Sequence, residues 1–146
     1  KINCNYLIDE VMRFFGSDTP FFVSDNFQEV HSSVPSAKVL AACNCTITQL
    51  FVNVMGRSNF GDGLLKLQTY EVRSLIIPNP KLLNDEVRKT VKSAGMLNLH
   101  DSDRRSLDQH VFDALGLTTD ERNAIADAVD NLVSLRLEKA GSLDLR

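Results

Sequence analysis

Hydrophobic residues change their spacing along this chain, and the changes mark its elements. Over residues 36–55 they follow the helical period: Val39, Leu40, Cys43, Ile47, Leu50, Phe51, Val54 and Met55 return to one side every three or four positions. Ser36 after Pro35 is a good N-cap, and Gly56 stands where a helix-ending glycine belongs. The pattern predicts one long helix over 36–55. Upstream the runs are shorter. Ile8, Val11, Met12 and Phe15 fit a helical stripe over 6–15. Against that, Gly16-Ser17-Asp18-Thr19-Pro20 is turn chemistry, and Phe21-Phe22-Val23 reads as a strand after it. A hairpin is the preferred of the two readings. Asp25-Asn26 suggests a bend, and the alternation from Phe27 to His31 gives a further short strand.

After Gly56 comes a Gly-rich loop to Gly63, a strand over Leu64–Leu67 with Lys66 inside it, and one helical turn over Thr69–Ser74. Leu75-Ile76-Ile77 leads into Pro78-Asn79-Pro80, which ends regular structure. Beyond Pro80 the pattern becomes that of charged amphipathic helices. Asn84 caps a short one holding Val87 and Val91, with Gly95 at its end. A second runs from about Asp103 to Leu115 with Leu107, His110, Val111, Ala114 and Leu115 on its face, closed by Gly116. A third, over 119–140, starts at the capping box Thr118-x-x-Glu121. Its face is Ile125, Val129, Leu132, Val133, Arg136, Leu137 and Ala140. The short link between the last two helices predicts antiparallel neighbours. The fold class is therefore α+β. Short strands and a long helix make up a first part over 1–80, and a helical segment over 81–146 packs on it.

The 146 residues suffice for one domain with a hydrophobic core, or two small lobes sharing one, and 43% hydrophobic content is ordinary for such a chain. No run approaches the roughly 20 apolar residues of a membrane span, and no signal peptide is visible after Lys1, so no membrane partner and a cytoplasmic location are expected. The net charge of −3 gives the whole chain no affinity for phosphate backbones. Neither half is a basic arm, so a nucleic-acid role needs a local patch or a basic partner. Cys4, Cys43 and Cys45 are read as reduced thiols, since no zinc-ligand spacing is present. The glycosylation sequon Asn44-Cys45-Thr46 falls inside the predicted helix and is discounted.

The loop at 56–63 is the feature that asks for a function. Its three glycines let the backbone approach a ligand, and Arg57, Ser58 and Asn59 offer donors. It follows a helix and precedes a strand, the reverse of the order in nucleotide-binding loops; a turn without ligand is the equally weighted alternative. A Cys43–His31 nucleophile pair would suit a small hydrolase, but Cys43 lies on an apolar stripe that disfavours a thiolate. Asp101, Asp103 and Asp108 lack metal-site spacing, and the first and second of them read as helix-start residues. Arg104-Arg105 reads as a solvated face.

Read together, residues 21–80 resemble the C-terminal part of the target-recognition region in N-6 adenine DNA methyltransferases of restriction–modification systems. That pattern has a strand ending in a Ser-x-Asn-Phe-like segment, then a helix ending in Gly-Arg. A Gly-rich loop, Leu-x-Lys-Leu, a short turn and Leu-x-Ile-Pro-x-Pro follow. Here these are Val23-Ser24-Asp25-Asn26-Phe27, Met55-Gly56-Arg57, Gly61-Asp62-Gly63-Leu64-Leu65-Lys66-Leu67 and Leu75-Ile76-Ile77-Pro78-Asn79-Pro80. Thr119-Asp120-Glu121-Arg122 through Leu135-Arg136-Leu137-Glu138-Lys139-Ala140 is similar to the helices that close such enzymes. The family's Gly-rich S-adenosylmethionine loop and Asn-Pro-Pro-aromatic motif are missing. The resemblance thus implies a fragment that recognises and positions double-stranded DNA, with no catalysis and no cofactor of its own. A catalytic domain of the same parent chain, preceding Lys1, would be its partner and would use S-adenosylmethionine. The implied DNA-facing residues are Arg57, Ser58, Asn59, Gly61, Gly63 and Lys66. The alternative is a helical protein-interaction module, which a broad exposed apolar stripe on the last helix would favour.

Overall fold

The computed structural model describes residues 1–17, 19, 22, 24–58, 63–94 and 99–141, the side chains of 92–94 and 141 excepted. Its first element, β1 (Ile2–Asn5), is the centre of a three-stranded antiparallel sheet. β3 (Phe14–Gly16) pairs on one side and β4 (Phe27–Val30) on the other, with Ile2 opposite both Gly16 and Val30. Past Tyr6 the chain enters β2 (Leu7–Ile8), which pairs with β5 (Leu65–Lys66) in a second, two-stranded sheet. The first eight residues therefore stitch both sheets together. Residues 6–15 are not helical. Phe14 joins a strand that lies before it, at Ile2–Asn5; of the expected strand at 21–23, Phe21 and Val23 lie outside the described residues.

The predicted helix 36–55 is two helices, α1 (Ser36–Asn44) and α2 (Thr46–Met55), which meet at 59°. Cys45 between them is extended, with φ −70° and ψ 160°. Hydrophobic spacing runs through the break because both helices turn apolar faces inward, so periodicity alone does not reveal it. Buried polar side chains make it. The Asn44 amide pairs twice with the backbone of Phe14, accepting from its N–H (3.0 Å) and donating to its C=O (2.8 Å). Gln49 does the same to Met12, at 2.9 Å for both bonds. Two amide side chains thus stand where a neighbouring strand would, and satisfy the buried backbone leading into β3. The helix begins one residue off expectation as well: Pro35 is the N-cap and Ser36 is already helical.

Downstream lie α3 (Thr69–Arg73), a single 3-10 turn (Pro80–Leu82), α4 (Val87–Ala94), α5 (Ser102–Leu115) and α6 (Thr119–Gly141). Pro80 starts its turn with Asn79 as cap, where the proline cluster was expected only to end structure. α5 closes on Gly116 in the left-handed region at φ 68°, and α6 opens on the reciprocal Thr118–Glu121 box, both as expected. Gly95, expected to end α4, lies outside the described residues.

Two hydrophobic clusters share α1 as a wall. Val39 and Cys43 face Ile2, Cys4, Ile8, Met12, Phe14, Val52, Leu65 and Leu67, which the two sheets, their flanking residues and α2 supply. Ala41, Ala42 and Cys45 face Leu83, Val87, Leu107 and Val111 from the second half. The small residues on that side let α4 and α5 approach closely. α6 packs chiefly on α2; α5 also lies beside it, with Arg122 pairing with Asp113 at 2.8 Å and lying over the Phe112 ring. Of the expected face, Val129 and Val133 are buried, but Leu137 is 39% exposed. Among the described residues no single helix is long and apolar enough to cross a membrane.

Candidate nucleic-acid interface

Arg57 lies just past Gly56, the cap of α2, and its backbone N–H and C=O bridge those of Lys66 at 3.2 and 3.1 Å. The loop is therefore closed at its base, where the backbones of Arg57 and Lys66 pair. Gly56 enters the turn with ordinary backbone angles (φ −68°). Its role is space: a Cβ there would lie 2.8 Å from the Val52 carbonyl and 3.1 Å from Leu65 and Leu67. Gly63 at the exit does need its positive φ of 68°. It is buried against α6, where a Cβ would meet the Arg136 carbonyl, Leu137 and Ala140 at 3.2–3.3 Å. The Gly63 carbonyl accepts a hydrogen bond from the Arg136 guanidinium. This glycine serves packing against α6. Ser58 is exposed, and Asn59 and Gly61 lie outside the described residues.

Both cations are already engaged. Arg57 Nε pairs with Glu71 Oε1 at 2.7 Å, its terminal nitrogen donates to the Tyr70 hydroxyl, and its guanidinium lies 5.7 Å from the Tyr70 ring centre. The other Glu71 oxygen accepts from the Gln68 N–H at 2.6 Å, which fixes the start of α3. Lys66 Nζ sits 4.5 Å from the centre of the Tyr6 ring. These contacts hold the long side chains in place, and about half of the Arg57 side chain remains exposed. Spacing reasoning missed Tyr6, Tyr70 and Glu71, because they come from two segments, the turn after β1 and α3, both remote from the loop.

A groove of about 610 Å³ opens beside this pair. One wall is β4, with Phe27, Gln28 and His31; the other is α3 and the extended segment after it, with Arg73, Leu75 and Ile77. Cys43 lies at its base, in the same groove as His31. Burial and the neighbouring thiols Cys45 and Cys4 push the Cys43 thiol up to about 12, which keeps it protonated near neutrality. Cys4 is likewise at about 12 and Cys45 at about 11, both through burial first. All three thiols are free, as expected.

Two buried charged groups lie elsewhere, on α5. Asp108 accepts from the Thr46 N–H (2.7 Å) and hydroxyl (2.6 Å), and Arg104 donates to the Asn44 carbonyl. An acid thus caps the positive start of α2 while a base caps the negative end of α1. Arg104 is fully buried, contrary to the expected solvated face. Burial raises the Asp108 carboxyl, with the Thr46 hydrogen bonds and the Arg104 charge opposing; burial also lowers Arg104. A cleft of about 280 Å³ between α5 and α6 reaches Asp108, yet both carboxylate oxygens are committed to Thr46, which makes this a structural clamp. Among the described residues no cluster of His, Cys, Asp and Glu could hold a metal ion. No family model, curated protein or solved structure matches the chain.

Proposed function

We propose that this chain is a DNA target-recognition unit of an adenine DNA methyltransferase, acting in the cytoplasm beside a catalytic domain of the same parent protein. The observation that carries the reading is the Arg57–Lys66 bridge. The Gly-Arg and Leu-x-Lys-Leu segments, which carry the resemblance in sequence, close one loop and present both cations at its base. Such an arrangement suits the task. A methyltransferase must take its adenine out of the stack, so a second surface has to grip the duplex. Phosphate contacts fix its register, and side-chain donors reach base edges.

In this reading the S-adenosylmethionine and the target amino group belong to the catalytic domain, and this chain supplies position and sequence preference. The interaction-module alternative gains little from the last helix: Leu135 and Leu137 are exposed, but two positions apart they point about 200° from each other and form no stripe. The test is calorimetry of the 146-residue chain with S-adenosylmethionine and, separately, with duplex DNA. DNA binding that weakens with salt, without micromolar cofactor binding, is the expected pair of results. Micromolar binding of the cofactor by this chain would overturn the division of labour.

A further inference from the structure

Glu71 is buried, yet one of its oxygens faces a half-exposed cation. Its side chain is 10% exposed, against 51% for Arg57. Oε2 accepts the Gln68 N–H at 2.6 Å, which is the ordinary work of an acid at this position of a helix start. Oε1 accepts the Arg57 Nε–H at 2.7 Å, and helix capping does not account for that bond. Stability does not account for it either, because an ion pair open to water contributes little. The geometry gives a reason. A guanidinium is planar, with five N–H donors in a fixed arrangement. Glu71 engages Nε, and the Tyr70 hydroxyl accepts from Nη2; among the described residues Nη1 has no partner. The Arg57 backbone is pinned as well, by the bridge to Lys66. The side chain is thus held at both ends, and the edge made of Nη1 and the remaining N–H of Nη2 is left over. Two parallel N–H groups match paired acceptors, either O6 and N7 of a guanine or two oxygens of a phosphate.

Resting on the DNA-recognition reading, we infer that Glu71 is a positioning residue: with the Tyr70 hydroxyl it holds the Arg57 guanidinium so that its outer edge meets paired acceptors on the duplex. Ordering this long side chain before binding removes part of the entropy cost of ordering it on the DNA.

Glu71→Gln tests this, because it separates the two oxygens. The single amide oxygen can keep the Gln68 N–H, since Gln serves at this position as Glu does. The amide NH2 then faces the Arg57 Nε–H, donor against donor, and the hold is lost. Charge alone predicts the opposite result: removing a negative charge from a chain of net charge −3 tightens binding to DNA. Fluorescence anisotropy of the 146-residue chain with a duplex oligonucleotide at about 50 mM salt is expected to show binding about tenfold weaker in Glu71→Gln, and a smaller loss in Tyr70→Phe. In an Arg57→Ala background Glu71→Gln should cost nothing further. Glu86→Gln removes an exposed carboxylate ahead of α4 and should not weaken binding. Independently of DNA, the Arg57 Nε–H should give a slowly exchanging NMR signal in the wild type that is lost in Glu71→Gln. A duplex carrying 7-deazaguanine, which lacks N7, identifies the acceptors. A loss of affinity on that duplex that disappears in Arg57→Ala marks a guanine edge, and a salt slope lower by about 0.9 in Arg57→Ala marks a phosphate; neither change overturns the inference. Thermal melting checks folding, and if Glu71→Gln does not fold, Tyr70→Phe, which changes only an exposed side chain, decides alone. Equal or tighter binding by the folded variant, or the same loss in Glu86→Gln, overturns the positioning while the recognition reading stands. No duplex binding by the wild type removes both.

Discussion

Asp108 gives both carboxylate oxygens to the first residue of α2, and Arg104, one turn earlier on α5, gives a donor to the last carbonyl of α1. Removing one partner of a buried charge pair strands the other. Asp108→Ala should cost roughly 3–5 kcal/mol in urea unfolding, and the double variant Arg104→Met, Asp108→Leu less than the sum of its singles. Additive losses would show that the two charges do not work as a unit. The pH dependence has a definite sign. Burial raises the folded-state carboxyl above its ordinary 3.8, so the ionised form is the costlier one in place. The stability of wild type relative to Asp108→Asn is therefore fully present below the ordinary value and declines as pH rises through the raised one. A difference that grows with pH would contradict this. The thiols give a second check at this scale. With values pushed to about 11 and 12, they should react with a disulfide reagent at pH 8 only as fast as the chain unfolds. A rapid phase in the folded chain would point to a reactive Cys43 and revive the hydrolase reading.

At the scale of elements, the amide pairs decide how the first half is built. Gln49→Leu leaves both backbone groups of Met12 buried without partners, at roughly 1–3 kcal/mol each. It should destabilise far more than Asn53→Leu, whose side-chain oxygen is buried but unpartnered. Equal effects would mean that the pairing contributes nothing. The same residues show what a sequence can and cannot disclose. The strand at Leu65, the turn of helix at Thr69, the Gly116 stop and the Thr118–Glu121 box all depend on neighbours in the chain, and local pattern reveals them. The break at Cys45 depends on Asn44 reaching 30 positions back and on Asp108 reaching 62 positions. No period encodes such distances. Arg104 looked solvated for the same reason: a charged residue is assigned outward until its buried partners are known. At the candidate site the Arg57–Lys66 approach was legible because the loop joining them is short. Glu71 was not, because only the folded chain sets α3 against the base of the loop.

At the scale of the whole molecule, α1 joins two cores and α6 braces α2 and the loop exit through Gly63. The buried Arg136 guanidinium bonds the Gly63 carbonyl, with two further nitrogens unpartnered, so its link to the loop is a single hydrogen bond. Arg136→Met should speed amide exchange at Arg57 and Lys66 while leaving the β1–β4 amides protected, and uniform deprotection would deny a local brace. The central claim is that this acidic chain carries a DNA-binding face at the base of that loop. The most direct test is the affinity of the wild-type chain and of the double variant Arg57→Ala, Lys66→Ala for duplex DNA across a salt series, with folding checked by melting. Weak, salt-steep binding by the wild type is expected, with a slope lower by up to about 1.8 in the double variant if each cation meets one phosphate. Identical binding curves for the two folded proteins would contradict it.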